Sequence, residues 1–184
     1  MIAQTNELVL LLDTCVLVSM PLCDTLLRLA EEPAFYMPRW SADILGELRR
    51  GLRRMKYSEA QAERRVTAMQ AAFEDACVTG YEKLIPSMTN DTKDRHGLAA
   101  AVCAGAHAIL TENVKHFPAR SVEPHKIEVL TPHQFLVHAF HFNRELLEDK
   151  LRGQAVARGI RFEDLVHKLA TWAPPLPKLL LDEM

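Results

Sequence analysis

The chain of 184 residues is long enough for one domain with a sizeable core, and at 48% hydrophobic and 25% charged it is too apolar to be a disordered polyelectrolyte. A formal net charge of -2 excludes a global attraction to nucleic acid, so any such site has to be a local patch. No apolar run approaches a membrane span and no signal-peptide pattern opens the chain, which predicts a cytoplasmic protein without membrane partners.

Leu8 to Leu12 is an unbroken apolar run that ends on Asp13, the pattern of a strand buried on both faces with a carboxylate at its carboxyl end. Thr14 to Val18 do not make a polar loop, so Asp13 reads as an acid held at the rim of a core; the plainer reading is a solvated Asp that starts a turn. Asp24 to Ala30 reads as a helix closed by Pro33, and Phe35-Tyr36-Met37 as a short strand stopped by Pro38. Ser41 is an N-cap, with Asp43 in the first turn of a helix whose stripe is Ile44, Leu45, Leu48 and Leu52. Glu47 lies at the edge of that stripe. A third helix is predicted from about Ser58 to about Cys77, with Val66, Met69, Ala72 and Phe73 on its inner face.

The polar cluster Asn90 to His96 opens into Leu98 to Ala106, a helix of small residues suited to close packing on a sheet. Ala108-Ile109-Leu110 reads as a strand ending in Thr111-Glu112-Asn113, and Ile127 to Leu130 as another, followed by a helix with Pro132 at its first position. Strands alternating with helices predict a parallel sheet with right-handed crossovers. From Asn143 the texture changes to two amphipathic helices separated by Gly159 and closed by Pro174 to Pro177. This divides the chain into an α/β domain, 1–142, and a helical appendage, 143–184. The four cysteines, Cys15, Cys23, Cys77 and Cys103, form no CxxC pair and read as buried small hydrophobes.

In a parallel sheet the carboxyl ends of strands and the amino ends of the following helices share one rim. Asp13, the pair Asp91 and Asp94, and Thr111-Glu112-Asn113 all fall on it. Clustered carboxylates repel unless a cation holds them, and hard oxygen donors with several waters suit Mg²⁺ or Mn²⁺. Each residue also has a plainer reading. Glu47 reads as a solvated helix acid beside Arg50, Asp91 and Asp94 as helix caps, Thr111 as an ordinary strand residue. His96 reads as a structural hydrogen bonder, and the basic run Arg49, Arg50, Arg53, Arg54 and Lys56 as a solvated helix face. His133, His138 and His141 lack the fourth ligand that a zinc site needs.

The stretches Leu11 to Val18, Ser41 to Arg50, Asp91 to His96, Leu110 to Pro118 and Val129 to Pro132 occur in the order found in PIN-domain ribonucleases, and the sequence resembles that family, above all its VapC-like branch, over roughly residues 7 to 140. The resemblance implies a parallel sheet of about five strands between helices. It implies cleavage of single-stranded RNA by metal-activated water, leaving a 5′-phosphate and a 3′-hydroxyl. Asp13, Glu47 and Asp94 match the acids that hold Mg²⁺ or Mn²⁺, and Asn113 stands at the fourth catalytic position, where many members carry Asp. As a neutral donor, Asn113 weakens a second metal site, and Glu112, one residue earlier, faces the other side of a strand. Asp91, Thr111, Glu112 and His96 become supporting groups of the rim, and Arg49, Arg50 and Arg53 partners for the RNA backbone. The family also implies an antitoxin protein as partner. Residues 143–184 would cover an apolar patch of the domain or belong to a homodimer or antitoxin interface.

Two other readings remain. Haloacid-dehalogenase-type phosphatases also place an Asp after an apolar strand but need a second Asp two residues later, where this chain has Cys15. A PIN-like module weakened in catalysis, binding RNA or a protein partner, is favoured by Asn113.

Overall fold

Val9–Leu12 (β1) is the centre of the sheet, and all four of its side chains are buried. A strand covered on both faces has no polar position to spare, which is why its sequence does not alternate. The computed structural model describes residues 8–182. Five parallel strands run in the order β3-β2-β1-β4-β5, where β2 is Met37–Ser41, β3 Cys77–Val78, β4 Ala108–Leu110 and β5 Glu128–Leu130. The chain leaves β1 for β2 on one side and later returns to β4 on the other. The order therefore reverses between β1 and β4, the place where open α/β sheets form a cleft at their carboxyl ends.

After β1 come the short helix α1 (Thr14–Val18) and α2 (Met20–Ala30). Helix α3 (Ala42–Arg54) starts at Ser41, whose hydroxyl accepts the Ile44 N–H at 3.2 Å. Helix α4 (Glu59–Ala72) starts in a capping box of Ser58 and Gln61. Helix α5 (Arg95–Cys103) lays Gly97, Leu98 and three alanines, all buried, against β1, β2 and β4. Then follow α6 (Ala119–Val122), α7 (Pro132–Phe142) with Thr131 and Gln134 as its capping box, α8 (Arg144–Arg158), α9 (Phe162–Leu169) and α10 (Leu176–Leu181). Among the described residues no helix is long and apolar enough to cross a membrane.

Three elements differ from the sequence reading. The second strand lies at 37–41 and runs through Pro38 instead of stopping there. Met37 donates its N–H to the carbonyl of Leu8, the residue just before β1, at 2.8 Å, so the next nitrogen faces the other side, where β3 pairs only with Trp40 and Ser41. Pro38 thus has its missing N–H where the strand is locally an edge. The third helix ends at Ala72, with Ala72 itself exposed, and Cys77–Val78 is a strand of two residues. The first helical region begins at Thr14, well before Asp24. Of the cysteines, Cys23 is buried, Cys15 and Cys77 are half-buried and Cys103 is exposed.

Helices α8 and α9 pack on α2, and their apolar residues Leu147, Leu151, Leu165, Val166 and Leu169 belong to the same continuous core as β1. Gln154 of α8 is fully buried there. Its amide donates to the Pro21 carbonyl at 3.1 Å, and its carbonyl accepts the Thr25 hydroxyl at 2.7 Å. Removing one side of a buried hydrogen bond costs about 1–3 kcal/mol, so Gln154→Ala is expected to lower the unfolding free energy by that amount, measured from the urea midpoint at unchanged slope.

Candidate active site

Asp13 is both the last residue before α1 and the cap of that helix. One carboxylate oxygen accepts the Thr14 N–H at 2.7 Å. The other accepts the Thr111 hydroxyl at 2.6 Å and the Cys15 thiol at 3.1 Å, and the residue is only 7% exposed. Thr111 follows β4 and is itself fixed by its N–H to Leu130 at 2.9 Å; its hydroxyl accepts the Asn113 N–H at 2.9 Å. The adjacent strands β1 and β4 therefore present their first polar residues to each other.

Glu47 comes from α3. Gly51 lets that helix lie close to α1, since a Cβ at this position would stand 3.2 Å from the Val18 side chain. At this approach the Thr14 hydroxyl donates to Glu47 Oε2 at 2.8 Å. His96, in the first turn of α5, brings Nε2 to 3.3 Å from Glu47 Oε1, and an Arg50 nitrogen lies 4.0 Å from the same oxygen. Asp94 belongs to the turn before α5, with His116 Nδ1 2.9 Å from its Oδ2. Both histidine nitrogens stand within ion-pair reach of their carboxylates. Asp13, Glu47, Asp94 and Asn113 line one cleft of about 340 Å³ together with Arg50 and Arg54. A larger cavity of about 490 Å³ lies between α2 and α4, but its wall is mainly apolar and holds none of these acids.

The charges in the cleft are coupled. Burial and the negative charge of Asp13 hold the Asp94 carboxyl above its ordinary range. Burial also pushes Glu47 upward, but contacts with His96, Thr14 and Arg50 outweigh it and leave Glu47 below its ordinary range. For His96 burial pulls down, and the facing Glu47 carboxylate, with Asp43 and Asp94 further off, wins and raises it. The Cys15 thiol is pushed up to about 12 by burial and by Asp13, so it stays protonated at neutral pH and is no nucleophile.

The donors suit a hard divalent ion: carboxylate, amide and hydroxyl oxygens around a polar cleft. As the side chains stand, no three His, Cys, Asp or Glu groups among the described residues converge closely enough to enclose an ion. That spacing does not fit a closed tetrahedral cage; Mg²⁺ and Mn²⁺ keep several waters and need only one or two carboxylates in direct contact.

The remaining residues singled out in the sequence divide. Thr111 and His96 hold Asp13 and Glu47 directly. Asp91 is exposed, caps its own turn through the Lys93 N–H at 3.0 Å and does not line the cleft. Glu112 is exposed, and only its main-chain N–H points inward, to Cys15 at 3.2 Å. Arg49 pairs with Glu63 at 2.6 Å and Arg53 lies 4.0 Å from Glu59, both directed to α4 and away from the acids. Thr14 and His116 carried no assigned role in the sequence. Thr14 directly follows Asp13, which is a local signal; His116 meets Asp94 only through the fold.

A family model described as PIN domain matches residues 9–115, which includes Asp13, Glu47, Asp94 and Asn113. The chain belongs to the PIN-domain family. It is 41% identical over 78 residues to a Mycobacterium tuberculosis protein named "Putative ribonuclease VapC50"; that match spans 42% of this PIN-domain chain and 46% of the relative, less than half the relative's length. No solved structure matches.

Thr111→Val keeps the shape of the side chain and removes the hydroxyl from a nearly buried carboxylate. The expected cost is about 1–3 kcal/mol of unfolding free energy, read by chemical denaturation. A loss under the measurement error would show that Asp13 does not depend on this contact.

Proposed function

We propose that this PIN-domain protein is a metal-dependent endoribonuclease of the VapC type, which cleaves single-stranded RNA and is restrained by an antitoxin protein. The observation that carries the reading is the cleft at the β1–β4 switch, where acids from three separate stretches of chain meet two arginines. The family supports the nuclease class, and the relative's name supports RNA as the substrate.

In this reading Asp13, Glu47 and Asp94 hold Mg²⁺ or Mn²⁺, with Asn113 as a neutral donor beside them. A bound ion of this kind supplies a water of lowered pKa and offsets charge growing on the phosphoryl oxygens. The chain's own part is to place the phosphodiester. Arg50 and Arg54, one helical turn apart on α3, offer guanidinium groups to the backbone phosphates at the mouth of the cleft. Asp13 is fixed from three sides by Thr14, Thr111 and Cys15, so its oxygens need little reorganisation when the substrate arrives.

Asp13→Asn and Asp94→Asn each remove one negative charge without changing shape. Each is expected to lower Mg²⁺-dependent cleavage of a single-stranded RNA by on the order of 10²-fold or more, the scale of losing one preorganised electrostatic contact. Full activity in either variant would refute the assignment. Asn113 favours a second reading, a module that binds RNA or a protein without cutting. Calorimetric titration separates the two: the nuclease binds Mg²⁺ or Mn²⁺ with its fold intact, and the binding module does not.

A further inference from the structure

Two turns carry the residues on the Asp94 side of the cleft: 91–94, before α5, and 113–116, after β4. They are not neighbours in sequence, and two contacts through one residue join them. The Asp91 N–H donates to the His116 carbonyl at 3.2 Å, and His116 Nδ1 stands 2.9 Å from Asp94 Oδ2. Each turn is also closed on itself, Asp94 N–H to Asp91 carbonyl at 2.9 Å and His116 N–H to Asn113 carbonyl at 2.8 Å. Phe117 anchors the second turn: it is buried, and its ring is so near α5 that a Cβ on Gly97 would lie 3.6 Å from it. The His116 ring contacts the Asp94 carboxylate without itself lining the cleft.

We propose that His116 is a positioning residue that aims the Asp94 carboxylate into the cleft and couples it to the turn bearing Asn113. The proposal rests on the reading of Asp94 as a cation ligand. His116 is the side-chain partner of the half-buried Asp94 carboxylate, and an outer contact that fixes a ligand's orientation strengthens ion binding without touching the ion.

The test uses the full chain with Mn²⁺ alone, measured by calorimetry and by the paramagnetic resonance of free Mn²⁺. His116→Leu keeps bulk and removes the nitrogen; His116→Asn places an amide nitrogen where Nδ1 stands and loses bulk. The expected result is a Mn²⁺ dissociation constant raised roughly 10–100-fold in His116→Leu, the usual cost of removing an outer-sphere partner, and largely restored in His116→Asn. In RNA cleavage the Mn²⁺ concentration for half-maximal rate rises in parallel, while KM for RNA stays unchanged. A packing role predicts the reverse order of the two variants, because Asn leaves the larger gap, and that order would overturn the proposal. Unchanged Mn²⁺ affinity in His116→Leu, beside a large loss in Asp94→Asn, would overturn it and leave the nuclease reading standing. Absence of Mn²⁺ binding by the unsubstituted chain would overturn both.

Discussion

Everything at the carboxyl end of the sheet depends on how a charged carboxylate is kept nearly out of water at the tip of β1. Burying an unpaired carboxylate costs far more than a domain of this size can spare. Asp13 meets that cost with local donors: the first N–H of the helix it caps, the Thr111 hydroxyl from the adjacent strand and the Cys15 thiol. The partial positive end of a helix adds to them, though α1 is only five residues long and its field is correspondingly small. Because Thr111 is held in turn by β5 through its own N–H, the position of Asp13 is set by three strands at once.

Around that fixed charge the other acids are balanced in pairs. Glu47 faces His96 and Arg50, and Asp94 faces His116. The balance is unequal. Glu47 has enough donors to be held below its ordinary range, whereas Asp94, with burial and Asp13 set against one histidine, is held above it. A cleft that sets an under-compensated carboxylate beside other acids has a local demand for positive charge, and that demand, more than the count of acids, distinguishes it from an ordinary polar groove.

What was legible in the sequence was local. The apolar run of β1, the caps at Ser41, Ser58 and Thr131 and the αL glycine at 159, which closes α8, each depend on residues a few positions apart. The acids of the rim followed from the alternation of strand and helix, and their grouping at 13, 47 and 94 from family resemblance. What stayed hidden was tertiary. A strand of two residues such as Cys77–Val78 has no periodicity of its own and exists only because β2 offers it an edge. Pro38 looked like a stop because its tolerance depends on how far β3 extends. Helices α8 and α9 were visible as amphipathic, but their burial on α2, and the role of Gln154 in that contact, required the fold.

The arginines of α3 are sorted by helical phase. Residues 49 and 53 are four apart and so are 50 and 54, so the two pairs point to different sides of the helix. Glu47 lies three residues before Arg50 and seven before Arg54, on the same stripe, whereas Arg49 and Arg53 lie on the stripe that faces α4 and are taken up by Glu63 and Glu59. Helical phase alone therefore assigns two arginines to the acid cleft and two to helix packing. It also explains how a chain with a net charge of -2 presents a cationic edge where a polyanion would approach: the positive groups not spent on α4 are gathered on the one face that already carries Glu47.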